Sequence, residues 1–184
     1  MNTVEAVTLL DAKKIEAELK KHAPDYADIW KFGLNVALRI SDLLAIKYQA
    51  LDLIQKELIL TESKTQKIKE IRLNDSAIEI IKRRREKYPQ DIYLFQTHSN
   101  RAKNLIKPIS RVAVATKFKQ TGDKFKLRIS THSMRKTRGK WLYESGVDIA
   151  MIAKILNHSS PAVTMRYIGI EKENILQTYD DFMF

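Results

Sequence analysis

Between Leu53 and Leu73 the apolar residues leave helical spacing, and this one break constrains the fold more than any other feature of the chain. LILTES and IKEIRL are short strand-like runs joined by KTQK, the pattern of a β-hairpin, with a further strand expected just upstream near Leu53. The text before and after is helical. Leu10, Ile15 and Leu19 recur at near-helical spacing in a helix over residues 8–22, which opens near Asp11. A second helix is expected from Pro24 or Asp25 to Val36 or Ala37, with Tyr26, Ile29, Trp30 and Leu34 inward. Ser41 is placed to cap a short helix bearing Leu43, Leu44, Ile46 and Tyr48.

Past the hairpin, NDSAIEIIKRRREKY reads as a helix opened by Asn74 or Asp75, with its basic run facing solvent or phosphate. DIYLFQT is a strand or an extended segment. Further helices are expected over 108–121, closed by Gly122; over 131–144, ended by Gly146; and over 148–156 and 161–168. The helix at 161–168 carries Ser160 as N-cap and Pro161 at its first position, a strong start signal. A last helical stretch is expected over 172–180. With no repeat, low-complexity tract or internal boundary, the fold class is mainly α with a small antiparallel β-sheet, in one domain over residues 1–184.

The chain carries Lys+Arg 33 against Asp+Glu 22, a formal net charge of +11. Such an excess favours a polyanionic partner, because each phosphate contact releases condensed counterions. Cysteine is absent, which removes disulfides, thiolate catalysis and cysteine-based metal sites and fits a reducing cytoplasm. There is no apolar run long enough to span a bilayer and no signal-like N-terminus, so membrane and secretory classes are not expected.

Five polar residues stand out by type and order. Arg39 lies between the apolar strings LNVAL and ISDLL, where an unpartnered cation would be costly, so it calls for an anion. His132 and Arg135 are three apart on an expected helix and share a face, while Met134, Trp141 and Leu142 would face the core. A histidine and an arginine on one polar face suit a phosphate, with the guanidinium able to donate as a bidentate fork. His158 precedes a helix N-terminus in LNHSSPAVTMRYI, and Tyr167 follows it in the same string. A tyrosine with a pKa near 10 is inert at neutral pH, so Tyr167 could act only if cations and a base activated it. Arg166, beside it, adds positive potential or is surface decoration.

Arg, His-x-x-Arg, His, Tyr in this order resembles the tyrosine recombinases, or phage integrase family. The likeness runs from about Thr8 to Ile168. LNHSSPAVTMRYI is similar to that family's LGHxSxxxTxxYxH, and ALRISD to its GLRxSEL, with Ala37 where glycine is frequent and Ile168-Gly169 where Thr or Ser-His is frequent. The resemblance implies an integrase-like catalytic domain that cuts and rejoins DNA through a 3′-phosphotyrosyl bond. Tyr167 would be the nucleophile. Arg39 and Arg135 would clamp a DNA phosphate, which disfavours a mere intramolecular salt bridge for Arg39. His132 would assist the tyrosine and His158 would donate to the phosphate. SKT is similar to the family's TKT, which makes Lys64, rather than Lys67 or Lys69, the expected general acid at the leaving 5′ oxygen.

The same resemblance implies no metal, no ATP and no other cofactor, with double-stranded DNA as partner and a homotetramer formed on it. It places the protein in the cytoplasm, encoded by a bacterium, a phage or a mobile element. The family's N-terminal core-binding domain has no counterpart in these residues. Tyr179, Phe182, Met183 and Phe184 make the end of the chain apolar, and residues 171–184 are expected to dock on a neighbouring subunit. Two alternatives are a type IB topoisomerase and a DNA-binding accessory protein that no longer cuts.

Overall fold

The computed structural model describes residues 4–99, 105–170, 176 and 179–181. Among these residues the chain forms eight helices and one three-stranded sheet. Helix α1, Leu9–His22, is capped by the Thr8 hydroxyl, which accepts from the Asp11 amide, and it buries Ala12, Ile15 and Leu19. Helix α2, Pro24–Val36, begins on proline and buries Ile29, Trp30 and Phe32. The indole of Trp30 meets Phe118 edge-on and donates to the Ala12 carbonyl, fastening α2 to α1.

The next helix departs from expectation. Helix α3, Ile40–Leu44, takes Arg39 rather than Ser41 as its N-cap residue and excludes Ile46 and Tyr48. It stops early because the chain beyond it is recruited elsewhere: the Leu94 amide donates to the Ile46 carbonyl, and Lys47 bridges Tyr93. A 3-10 turn at Tyr48–Ala50 leads into the sheet.

Strands β1 (Leu51–Asp52), β2 (Glu57–Thr61) and β3 (Ile68–Arg72) run antiparallel in that order, with Glu57 opposite Arg72 and Thr61 opposite Ile68. The β2–β3 turn closes by the Glu62 amide donating to the Lys67 carbonyl, and Gln66 takes φ 55 within it. Side chains alternate across the pleat. Leu58 and Glu62 therefore fall on the buried face of β2 and its extension, and Lys69 and Ile71 on the more buried face of β3.

Helix α4, Asp75–Lys87, is capped by Asn74. Its basic run does not all face outward: Arg84 is 2% exposed. Its Nε donates to the Leu94 carbonyl at 2.7 Å and its Nη1 to Asp25 at 2.6 Å, with Asp28 also in reach. Burying this cation is tolerable because two carboxylates and a carbonyl receive it. The 91–97 segment is neither a strand nor continuously extended: a turn at Leu94–Phe95 lies between isolated bridges at Tyr93 and Gln96, with Leu94 and Phe95 fully buried.

Helix α5, Arg111–Lys124, starts later than expected, since Ser110 is its cap and Pro108 bridges Gln96. Gly122 lies inside its last turn. A Cβ there would stand 2.5 Å from the Leu127 carbonyl oxygen, so close packing rather than helix termination explains the residue. Helix α6, Ser133–Glu144, buries Met134 and Arg135 but leaves Trp141 39% exposed, against the inward orientation expected for it. The Arg138 guanidinium covers that ring at 4.8 Å.

Helices α7 (Ile149–Ile155) and α8 (Pro161–Ile168) close the described fold, capped by Asp148 and Ser160. Ala37, Ile152, Leu156 and Ile168 form a small core of their own, against which Tyr167 packs. The larger core lies among α1, α2, α4, α5 and the inner face of the sheet. Of the helical stretch expected over 172–180, residues 176, 179 and 180 are described and are helical and exposed, and the rest of that expectation lies outside the described residues.

Candidate active site

Arg39 stands where α2 hands over to α3. Ala37, at φ 51, turns the chain, and Arg39 takes the extended cap position with ψ 146. Its side chain is 18% exposed and its Nη1 lies 3.0 Å from Glu62 Oε2. Charge holds this contact, since it lacks hydrogen-bond alignment. The intramolecular salt bridge that the sequence reading disfavoured for Arg39 therefore exists. Its cause is Glu62, a fully buried carboxylate that nothing in the sequence reading had singled out.

Arg135, in the first turn of α6, is buried. Its Nη1 donates to the Ala37 carbonyl at 2.9 Å and its Nη2 to the Leu156 carbonyl, so one guanidinium ties the end of α2 to the end of α7. Glu62 Oε1 lies 4.0 Å from Arg135 Nη1 and 4.0 Å from Lys69 Nζ. Lys69 is thus a third cation of the cluster. It donates to the Ile155 carbonyl at 2.6 Å, and its pKa falls to about 8 through burial and then the charge of Arg135.

His158 follows Asn157, which sits at φ 47 beyond the end of α7, and its amide donates to the Ala153 carbonyl. Its Nδ1 lies 3.0 Å from the Thr164 hydroxyl. Partial burial, then the charges of Arg135 and Arg39, lower its pKa to about 4, leaving the ring neutral at neutral pH. The His158 ring meets the Tyr167 ring edge-on, centroids 4.9 Å apart. Tyr167 lies on α8 one turn from Thr164, with its hydroxyl buried and without a well-aligned hydrogen bond among the described residues. Burial raises its pKa, and Arg135 pulls the other way through charge and a distorted contact.

His132 is the N-cap residue of α6, at the open mouth of this cluster. Partial desolvation and the charges of Arg111, Arg135, Arg39 and Lys64 lower its pKa. Lys64 is exposed in the β2–β3 turn, with its charge felt at His132. The turn is held from below by Asp42, which accepts from the Ser63 amide at 2.9 Å and the Ser63 hydroxyl at 2.6 Å. Arg39, Arg135, His158 and Tyr167 are therefore brought together in one cluster, with Arg135 buried and the other three half-buried. His132 stands at its mouth, and Lys64 on a turn beside it.

A match to the phage integrase family spans residues 2–174. The chain belongs to the phage integrase family. This integrase-family chain is 39% identical over 166 residues to the "Probable integrase/recombinase YoeC" of Bacillus subtilis (strain 168), covering 89% of this chain and 87% of that protein. It is 28% identical to the "Probable integrase/recombinase" of Acholeplasma phage L2, covering 88% of this chain but only 55% of the phage protein. Its fold is similar to that of the Tn1549 transposon integrase solved in complex with transposon right end DNA, with TM-score 0.78 at 17% identity, over 98% of this chain and 66% of that one.

Within this integrase-family fold the site gathers cations around one carboxylate. Arg39, Arg135 and Lys69 share the buried Glu62, and burial, followed by the charge of positive neighbours, depresses the pKa values of His132, Lys69 and His158. A phosphate entering there would meet guanidinium N–H groups and a histidine edge beside a tyrosine hydroxyl. Three participants escape the sequence, Glu62, Asp42 and Asn157, while Lys69 figures there only as an alternative to Lys64. Period-two alternation was the available signal for Glu62, which continues the buried face set by Leu58. For Asn157 the signal was its place just after a helix, where a left-handed residue is common.

Proposed function

We propose that this chain is a site-specific DNA recombinase that cuts duplex DNA with Tyr167 and rejoins it to a partner strand. The Tyr167 oxygen attacks a backbone phosphorus. The P–O5′ bond breaks, leaving a 3′-phosphotyrosyl link and a free 5′ hydroxyl. Arg39 and Arg135 meet the charge on the non-bridging oxygens, joined by His158 through the ring nitrogen that Thr164 does not use. His132 helps remove the tyrosine proton, and Lys64 gives a proton to the departing 5′ oxygen. Later a 5′ hydroxyl from a second duplex attacks the phosphotyrosine and releases Tyr167.

The cations the phosphate needs come from the chain itself, and bond energy is stored in the covalent link. The proposed reaction therefore calls for neither metal nor ATP. Four copies would act in pairs on two duplexes, with residues 171–184 docking on a neighbour. The observation that carries this reading is the convergence of Arg135 and His158 on the buried side of Tyr167. End-labelled duplex tests it. After denaturation, protein linked to the 3′ end at the break with a free 5′ hydroxyl opposite supports the assignment, and the reverse polarity contradicts it.

A further inference from the structure

We propose that Glu62, Lys69 and Asn157 form a clamp that locks the hairpin carrying Lys64 to the loop carrying His158, so that general acid and phosphate donor are held in one frame. This rests on the functional reading above, because it assigns positioning roles in that same site. The hairpin and the α7–α8 loop lie far apart in sequence, and three side-chain contacts join them. Lys69 reaches from β3 to the Ile155 carbonyl at 2.6 Å. The Asn157 amide donates to Glu62 Oε2, and to the Thr65 hydroxyl at 3.1 Å. The Thr65 hydroxyl in turn donates to Glu62 Oε2 at 2.9 Å, closing the turn onto the same carboxylate.

Each member is otherwise hard to explain. Glu62 is fully buried, where a carboxylate is costly unless paired. Lys69 has 12% of its side chain exposed although it sits on a hairpin edge, where lysines usually reach solvent. Asn157 pays for a left-handed backbone at φ 47 and uses its side chain in the grip. Together they do two things at once. The contacts to Asn157 and Ile155 set the distance between hairpin and loop. The charge of Glu62 also keeps Arg39, Arg135 and Lys69 from repelling one another before DNA arrives, without consuming well-aligned N–H donors of Arg39. The clamp residues are positioning residues: they act through Lys64, His158 and the arginines.

Three variants of the whole chain separate this from a general packing role. Asn157→Gly keeps a backbone that tolerates positive φ while removing the amide. Lys69→Met keeps the buried stem and removes the charge, and Lys69→Arg keeps a charged donor. Two readouts are taken, amide hydrogen exchange across residues 62–69 and the rate of protein–DNA adduct formation on plasmid. Asn157→Gly and Lys69→Met are expected to speed exchange in the hairpin about tenfold, leaving α1 and α2 unchanged, and to slow adduct formation at least about tenfold; Lys69→Arg restores both. Hairpin exchange that stays at the wild-type rate in both Asn157→Gly and Lys69→Met overturns the clamp. So does loosening that spreads equally through α1 and α2, which would mark plain destabilisation. Should wild type give no adduct, the exchange arm alone decides whether the clamp exists.

Discussion

His158 packs edge-on against Tyr167, with ring centroids 4.9 Å apart and planes at 76°. Thr164, one helical turn before Tyr167, holds the other side of the imidazole through Nδ1 at 3.0 Å. Helix α8 thus supplies both the tyrosine and the residue that aims the histidine at it. His158→Ala is expected to slow single-turnover adduct formation by roughly two orders of magnitude, the scale of losing one transition-state hydrogen-bond donor. Thr164→Val, which only frees the ring, should cost less. Equal losses in the two variants would contradict the division between donor and aiming residue.

Acid should weaken the fold through the same histidine. The folded pKa of His158 is lowered to about 4 from 6.5, so between those values the unfolded chain binds a proton that the folded chain refuses. Stability therefore falls as pH drops through that window. The charges acting on the ring are those of Arg135, Arg39, Lys69 and Glu62, and the titratable group in contact with it is Tyr167. His132 is shifted in the same direction and adds to the slope, while the lowered carboxyl of Glu62 acts further into the acid. Thermal melts between about pH 7 and pH 5 should show Tm falling, with a shallower fall in His158→Gln. An identical slope in wild type and variant would contradict the shift.

Gly139 sets how closely α8 approaches α6. A Cβ at that position would lie 2.9 Å from Ile168 Cγ2 and 3.0 Å from Leu156 Cδ1, so Gly139→Ala must push Ile168, the neighbour of Tyr167, outward. Overpacking of this kind typically costs about 1–3 kcal/mol. Denaturant unfolding should register that loss, and adduct formation should slow by more than the lost folded fraction explains. A variant as stable as wild type would contradict the close approach.

The basic run of α4 divides into the buried Arg84, a half-buried Arg85 laid over the Tyr48 ring, and exposed neighbours. Arg84→Ala abandons Asp25, Asp28 and the Leu94 carbonyl in a mostly dry site and should cost roughly 3 kcal/mol, within the range for breaking a buried ion pair. Lys82 is exposed, and Lys82→Ala should stay within about 0.5 kcal/mol. Urea titrations of both variants check this. Equal stability in the two would place Arg84 at the surface after all.

The hairpin and the last helix were legible because their signals are local. Alternation marks β2 and β3, and Ser160-Pro161 marks the start of α8. What escaped depends on tertiary partners. Arg84 looked like one of a row of surface cations until Asp25 and Asp28 were brought beside it from α2. Trp141 was expected in the core by its spacing, yet Arg138 supplies a cover that leaves it at the surface. Helix α3 ended early because Leu94, 48 residues after Ile46, claims the Ile46 carbonyl. In the site, the order Arg, His-x-x-Arg, His, Tyr identified residues that the fold does gather. Glu62 and Lys69 carried no motif, and their pairing with Asn157 and Ile155 is visible only once the sheet meets α7.

The identity of the nucleophile is tested most directly by locating the atom that DNA becomes attached to. Wild-type chain and Tyr167→Phe would each be incubated with supercoiled plasmid, denatured, digested with nuclease and trypsin, and analysed by mass spectrometry for nucleotide-linked peptide. Trypsin cuts after Arg166, so the modified peptide is expected to begin at Tyr167 and to vanish in Tyr167→Phe. A nucleotide carried on any of the other tyrosines, or an adduct that persists in Tyr167→Phe, would contradict the assignment of Tyr167 as the residue that cuts DNA.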